Sequence, residues 1–350
     1  MKITVLTPFP VTEKITGGQI YDNKVFDILS HETDNRLSIV SLETSRAKKN
    51  PVLAPVEYLK GALKLKDTDI FITNSAFYMR FFLLPFFLKR KRKKFITIHH
   101  HFMYRQFTGL KRIIYKYFEW AFLSQASNIV VASPYVYDEL KAHYPEKKLL
   151  FNKIPFTITR KYPIMPERGR LTFTGTIEPR KGLHHLIESL RILKERNLHY
   201  PLTIIGKSID EEYNKDIISK IKKYDLNVTF AGFISKDEVD RILSTTDVFV
   251  FPSLLEGYGM ALIEAQVYGL PIVTFDNSAM PYNVKNNING YTVPTGDEQQ
   301  FATAIEKIVE DRALRQRLSE GALDNLKNQN SEENFKETVR QSFRRLFPSL

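Results

Sequence analysis

Val248-Phe249-Val250-Phe251, Pro252-Ser253, Glu256-Gly257-Tyr258-Gly259 and Met260-Ala261-Leu262-Ile263-Glu264 follow one another in the second half of this chain. The first run is short, apolar and β-branched or aromatic, as a buried strand is. Proline and serine end it, two glycines mark a turn, and an apolar-periodic segment from Gly259 to Tyr268 follows as a helix. Strand, glycine loop and helix in this order place backbone N–H groups and the positive end of a helix dipole around one point, which suits an anion and most often a phosphate. Glu264 stands about one turn inside the helix, and helical side chains tilt toward the N-terminus, so its carboxylate points back at that anion site. A carboxylate repels phosphate but accepts from hydroxyls. A ribose diol suits Glu264 and a second polyol suits Glu256, and phosphate between two sets of hydroxyls describes a nucleotide sugar. The plainer alternative makes Glu256 a solvated loop residue and Glu264 the polar edge of an amphipathic helix.

Together with Glu264-Ala265, Gly269-Leu270-Pro271-Ile272-Val273 and Asn289-Gly290, this stretch resembles the signature of the retaining glycosyltransferases of family 4, including two glutamates separated by seven residues. The resemblance covers residues 171–293 strongly and the earlier chain loosely. It implies a GT-B fold: two Rossmann-like, doubly wound α/β domains facing a central cleft, with a C-terminal helix returning to the first domain. It also implies sugar transfer with retention of configuration, a UDP- or GDP-linked sugar as donor, and no metal or other cofactor.

The rest of the chain is consistent with two domains. Its 350 residues are 43% hydrophobic and 26% charged, an ordinary globular composition. It contains no cysteine, which excludes disulfides and thiolate metal sites and fits a reducing compartment. Met1-Lys2-Ile3-Thr4-Val5-Leu6 becomes a strand too early to be a signal peptide, so a cytoplasmic protein is expected. The net charge of +12 is uneven: residues 1–165 hold 27 lysines and arginines against 13 acids, and the remainder holds 24 against 26. The first half therefore faces an anionic surface or partner.

Strand-like runs at Ile3 to Pro8, Leu37 to Leu42, Asp69 to Thr73, Phe95 to Ile98 and Asn128 to Ser133 alternate with helical patterns, which reads as a parallel sheet. Gly17-Gly18 precedes a helix from Ile20 to Ser30, and in the resembled family this first loop approaches the donor diphosphate. Phe81-Phe82-Leu83-Leu84-Pro85-Phe86-Phe87-Leu88 runs directly into Lys89-Arg90-Lys91-Arg92-Lys93-Lys94. Eight apolar residues fall short of the about 20 that span a bilayer. An apolar wedge beside six cations does fit an interfacial contact, each cation adding about 1 kcal/mol near an anionic leaflet. Phe81, Phe82, Phe86, Phe87 and Lys89 to Lys94 are therefore expected to touch the inner face of a membrane, the alternative being a buried helix with a solvated basic end. A second helix, Leu110 to Ser124, adds Lys111, Arg112 and Lys116 among apolar residues.

His99-His100-His101 follows a strand, where alternate side chains point to opposite faces, so the three do not converge on one metal. The resemblance matches Thr97-Ile98-His99 to a histidine near the transferred sugar and acceptor. Pro155, Pro163 and Pro166, with lost periodicity from Arg160 to Gly169, mark the linker. The expected boundaries are 1–165 for an acceptor domain, 166–330 for a nucleotide-sugar domain and 331–350 for a terminal helix.

In the second half Gly175-Thr176-Ile177-Glu178-Pro179-Arg180-Lys181-Gly182 links a strand to a helix. Lys181-Gly182 matches the family's diphosphate contact, while the arginine often found after the first glycine is Thr176, leaving Arg180 to supply that charge. Gly232-Phe233 matches the segment that forms the nucleobase pocket. The resemblance thus implies catalytic roles for His99, Arg180, Lys181 and Glu256, and donor contacts from Gly17, Gly18, Thr176, Gly232, Phe233, Gly257, Tyr258, Gly259, Met260 and Glu264. The expected acceptor is a lipid-linked or other glycan in cell-envelope polysaccharide or glycolipid synthesis. Two rival readings remain: a non-hydrolysing nucleotide-sugar epimerase, and a nucleic-acid-binding protein using the basic first half, which leaves the second half unexplained.

Overall fold

The computed structural model describes residues 2–7, 17–33, 36–42, 53–156, 160–327 and 331–346. The chain divides into two compact units, Met1–Phe156 with Asn330–Leu350, and Thr157–Gln329.

Among the described residues the first unit contains six strands: β1 (Ile3–Thr7), β2 (Leu37–Ser41), β3 (Ile70–Asn74), β4 (Lys94–His99), β5 (Asn128–Val131) and β6 (Leu149–Phe151). They form one parallel sheet in the order β2-β1-β3-β4-β5-β6. Ile70, Ile72, Ile96, Ile98, Ile129 and Val130 are fully or almost fully buried, as parallel strands covered on both faces require. The helices are α1 (Gly17–Glu32), α2 (Ala54–Leu63), α3 (Tyr78–Phe81), α4 (Leu84–Arg90), α5 (Gly109–Gln125) and α6 (Pro134–Lys141). Helix α1 begins at Gly17 rather than near Ile20, and the segment between β1 and Gly17 lies outside the described residues.

The second unit contains β7 (Leu171–Thr174), β8 (Leu202–Ile205), β9 (Val228–Gly232), β10 (Val248–Phe251), β11 (Ile272–Phe275) and β12 (Gly290–Val293). These also run parallel, in the order β12-β11-β10-β7-β8-β9. The order reverses between β7 and β10, and the carboxyl ends of such a pair are where doubly wound sheets bind ligands. Its helices are α7 (Leu183–Glu195), α8 (Glu211–Lys223), α9 (Lys236–Thr245), α10 (Met260–Val267), α11 (Met280–Asn283), α12 (Glu298–Glu310) and α13 (Arg312–Leu326). The long helical pattern after Asp297 is two helices, because Asp311 leaves helical geometry and caps α13 through Leu314 N–H.

One boundary differs from that expected, the first unit ending at Phe156 rather than at residue 165, whereas the terminal helix lies with the first unit as expected. Residues 160–169 belong to the second unit, tied there by Arg160 Nε donating to Val267 O (3.0 Å), Met165 N–H to Ser244 O (2.8 Å) and Glu167 N–H to Thr245 O (2.9 Å). Helix α14 (Glu332–Leu346) packs in the first unit, burying Phe335, Val339 and Phe343 at helical spacing. Arg340 and Arg344 both reach Glu32 at 2.8 Å, and Phe335 meets the Tyr21 ring at 5.6 Å.

Candidate functional site

Two loops leave the sheet of the second unit side by side, Gly175–Gly182 after β7 and Pro252–Gly259 after β10. Gly182 has φ +70, and a Cβ there would come within 2.0 Å of Pro252 O, so only glycine lets the loops approach this closely. The Leu254 N–H donates to Arg180 O at 2.8 Å and fixes their register.

The charged side chains of the two loops interlock. Lys181 Nζ lies 2.5 Å from Glu256 Oε1, which also accepts from Ser253 Oγ at 2.9 Å and lies 3.6 Å from Arg180. Arg180 donates to Glu178 (2.7 Å) and to Leu255 O (2.9 Å), and Thr176 Oγ1 donates to Glu178 at 2.6 Å. Arg180 is therefore partnered by Glu178 rather than left as a free charge. Burial alone would raise the Glu256 pKa, but the Lys181 and Arg180 charges, with hydrogen bonds from Lys181 and Ser253, outweigh it and hold the carboxyl below its usual range. Every partner of Glu256 meets Oε1; among the described residues no hydrogen bond reaches Oε2.

Behind the second loop, Gly259 has φ +82 and opens α10, whose first N–H groups have no intrahelical acceptor. Asn283 Nδ2 donates to Tyr258 O (2.6 Å), and Ser278 Oγ accepts from Glu256 N–H (3.0 Å). These bonds hold Glu256 and Tyr258 in place. Burial pushes the Tyr258 phenol above its usual range. Glu264 follows in the second turn of α10. Burial raises its carboxyl pKa, the Lys236 charge offsets this in part, and no described residue hydrogen-bonds to it. At the end of β9, Gly232 (φ +74) presents Phe233 with 88% exposure, an open aromatic face.

In the first unit His99 is fully buried, with Nδ1 2.7 Å from Ser75 Oγ, its ring centroid 4.6 Å from Phe102, and Nε2 without a partner. Burial, then His101 and His100, hold its pKa well below the usual imidazole range, so the ring is neutral. His100 is the more accessible histidine. Its Nε2 pairs with Asp22 at 2.8 Å, Asp22 also accepts from Asn74 at 2.8 Å, and its Cδ2 would be 3.3 Å from a Cβ on Gly18. Among the described residues no group of three or more acids or histidines is placed to hold a metal ion.

The expected membrane wedge is largely core. Phe81 is 1% exposed against Tyr58, Leu84 and Leu88 are buried, and Phe82 and Phe87 are half-buried. The reason is that α3 and α4 pack on α2, β4 and α5, which an apolar run by itself does not reveal. Phe86 alone of the four phenylalanines is exposed. Of the six cations, Lys93 is drawn to the carbonyls of Lys66 and Thr68, and Lys94 to Leu346 O. No helix among the described residues is long and apolar enough to cross a membrane.

Sequence reasoning assigned no role to Ser278 or Asn283 and did not foresee the pairing of Glu178 with Arg180. Ser278 and Asn283 contact the second loop from positions whose spacing carries no signal.

Residues 156–324 match the family described as Glycosyl transferases group 1, and residues 27–150 match Glycosyltransferase Family 4. The amylovoran biosynthesis glycosyltransferase AmsK of Erwinia amylovora is 34% identical over 150 residues, 41% of this chain and 37% of that protein. The UDP-Gal:alpha-D-GlcNAc-diphosphoundecaprenol alpha-1,3-galactosyltransferase of Escherichia coli is 29% identical over 148 residues, again 41% and 37%. Both matches thus span well under half of the relative's length. Among solved structures, sucrose-phosphate synthase from Thermosynechococcus elongatus superposes over 100% of both chains, with a TM-score of 0.79 at 18% identity, which establishes a shared GT-B fold.

Proposed function

Because this chain belongs to the glycosyltransferases of group 1 and family 4, we propose that it moves a sugar from a nucleotide-sugar donor to a lipid-linked or glycan acceptor in cell-envelope polysaccharide or glycolipid synthesis, with retention of configuration and without a metal. One observation carries the reading. Lys181 and Arg180 meet Glu256 across the two loops, beside the open N-terminus of α10 and an unpartnered Glu264.

In glycosyl transfer the bond from the anomeric carbon to the diphosphate lengthens and negative charge accumulates on the departing phosphates. Catalysis then requires positive groups fixed before the charge appears. Lys181, Arg180 and the N–H groups of Tyr258, Gly259 and Met260 do this work, with Thr176 at the edge of the same loop. The free Oε2 of Glu256 accepts from the donor-sugar hydroxyls, and Glu264 accepts from the ribose diol. Both exchange the cost of a desolvated carboxylate for charge-assisted hydrogen bonds. Phe233 stacks on the nucleobase. The basic first unit receives the acceptor, where Gly17 and Gly18 open α1 beside His100, and His99 stands at the end of β4 with Nε2 unpartnered. The E. coli relative's name specifies a UDP-sugar and a diphosphoundecaprenol acceptor, which favours the UDP and lipid-linked alternatives here. In this reading the protein works in the cytoplasm at the inner face of an anionic membrane.

The test is incubation with a panel of UDP- and GDP-sugars and undecaprenyl-diphosphate-linked acceptors, with chelator present, reading released nucleoside diphosphate and the product anomer. One donor is expected to react with retention. An inverted product or a metal requirement would overturn that part of the mechanism. Conversion of the donor without acceptor would identify an epimerase instead.

A further inference from the structure

Helix α5 is apolar on two opposite sides. Glu119, Phe122 and Leu123 are buried in the first unit, whereas Leu110 (71% exposed), Ile113 (66%), Ile114 (43%) and Tyr117 (71%) are open. The four follow i, i+3, i+4, i+7 spacing, which makes one continuous stripe along the side facing away from the unit's core. A surface helix normally carries polar residues there, and exposed apolar side chains are ordinarily scattered singly. Lys111 and Lys116 are exposed on the two flanks of the stripe, Arg112 is exposed further round the same end of the helix, and the one acidic residue of the helix, Glu119, is fully buried. The outward surface of α5 therefore combines an apolar band with cations and no anion.

We propose that this face of α5 is the membrane-docking surface, lying in the headgroup region of an anionic lipid bilayer with its apolar stripe inserted and its lysines and arginine on the lipid phosphates. The proposal rests on the membrane reading above and relocates the contact from the buried Phe81 segment to residues 110–117. Charge decides the occupant. A second copy meeting this face symmetrically would set cation against cation in a first half already strongly positive. Nucleic acid would neutralise the cations and leave the apolar stripe uncovered. An anionic bilayer satisfies both, because long basic side chains extend to the headgroups while neighbouring apolar groups enter the acyl boundary.

The test is co-sedimentation of the full chain with phosphatidylcholine vesicles, with and without phosphatidylglycerol, comparing wild type, Ile113→Ser/Tyr117→Ser and Lys111→Gln/Arg112→Gln/Lys116→Gln. Wild type is expected to bind the anionic vesicles, and each variant to lose about tenfold or more in partitioning. Circular dichroism and the melting shift with uridine diphosphate should stay at wild-type values. No binding by wild type overturns the membrane reading together with this surface. Equal binding by all three proteins overturns the α5 assignment alone. A wild-type dimer dissolved by Ile113→Ser/Tyr117→Ser, or RNA displacing the vesicles, replaces lipid by another partner. Loss of the nucleotide shift in the α5 variants would assign the helix to donor binding and refute docking.

Discussion

Gly182→Ala tests whether contact between the two loops builds the candidate site, and Gly232→Ala is its internal control. Both glycines are left-handed, with φ +70 and +74, so alanine costs each about 1–2 kcal/mol in backbone conformation. They differ in surroundings. A Cβ at Gly232 meets nothing within 4 Å, whereas at Gly182 it would stand 2.0 Å from Pro252 O, below the 3.0 Å that real Cβ atoms respect. The loops must separate by about 1 Å, and overpacking of this kind costs about 1–3 kcal/mol more. Gly182→Ala should therefore destabilise by about 2–5 kcal/mol and Gly232→Ala by about 1–2. Denaturant melts of the two variants measure the difference. The same displacement moves Lys181 away from Glu256, so affinity for uridine diphosphate, read by calorimetry, should fall about tenfold or more in Gly182→Ala. Equal losses of stability, or unchanged nucleotide affinity in Gly182→Ala, would refute the role assigned to loop contact.

Three further outcomes are expected. Lys181→Ala leaves Glu256 nearly buried with the Ser253 hydroxyl and, as its cation, the more distant Arg180, so it should cost about 3 kcal/mol and abolish turnover; Lys181→Ala/Glu256→Gln should regain stability without activity, and a double variant no more stable than the single would argue against the pair. Glu264→Ala should weaken ribonucleotide binding and erase the preference for ribo- over 2′-deoxyribonucleoside diphosphates, and a preference that persists would remove Glu264 from the ribose. Burial pushes the Glu119 carboxyl from the usual 4.5 to about 7 against the two N–H groups of Met103 and Tyr104 that it accepts from. A raised folded pKa gives a contribution fully present below about pH 4.5 and lost as pH rises through about 7, so the first unit should lose about 3 kcal/mol across that window. Glu119→Gln should flatten this dependence in pH-resolved melts, and an unchanged slope would contradict it.

The parts of the site that were legible in the sequence are those whose cause is local. A four-residue apolar strand, two glycines and a helix start are readable in Val248 to Glu264 because backbone conformation and hydrogen-bond supply depend on adjacent residues, and the observed φ of Gly259 answers that reading. Lys181 and Glu256 were identifiable singly but not as a pair, since 75 residues separate them and only the parallel pairing of β7 with β10 brings their loops together. The anchoring of Glu256 by Ser278 and of Tyr258 by Asn283 was equally invisible, because nothing in the spacing marks either residue.

Two doubly wound units, a glycine loop with glutamates on either side in the second, and the excess of positive charge in the first were all readable along the chain. Periodicity, glycine placement and charge counts require no knowledge of neighbours. Which apolar surface is covered depends instead on packing between elements far apart in the chain. Phe81 and Leu110 both stand in apolar stretches with nearby cations, yet Phe81 is buried at 1% exposure and Leu110 is open at 71%. The physical reason is that burial depends on what packs against a side chain: α3 and α4 find partners in α2, β4 and α5, whereas the outward face of α5 finds none among the described residues of its own unit.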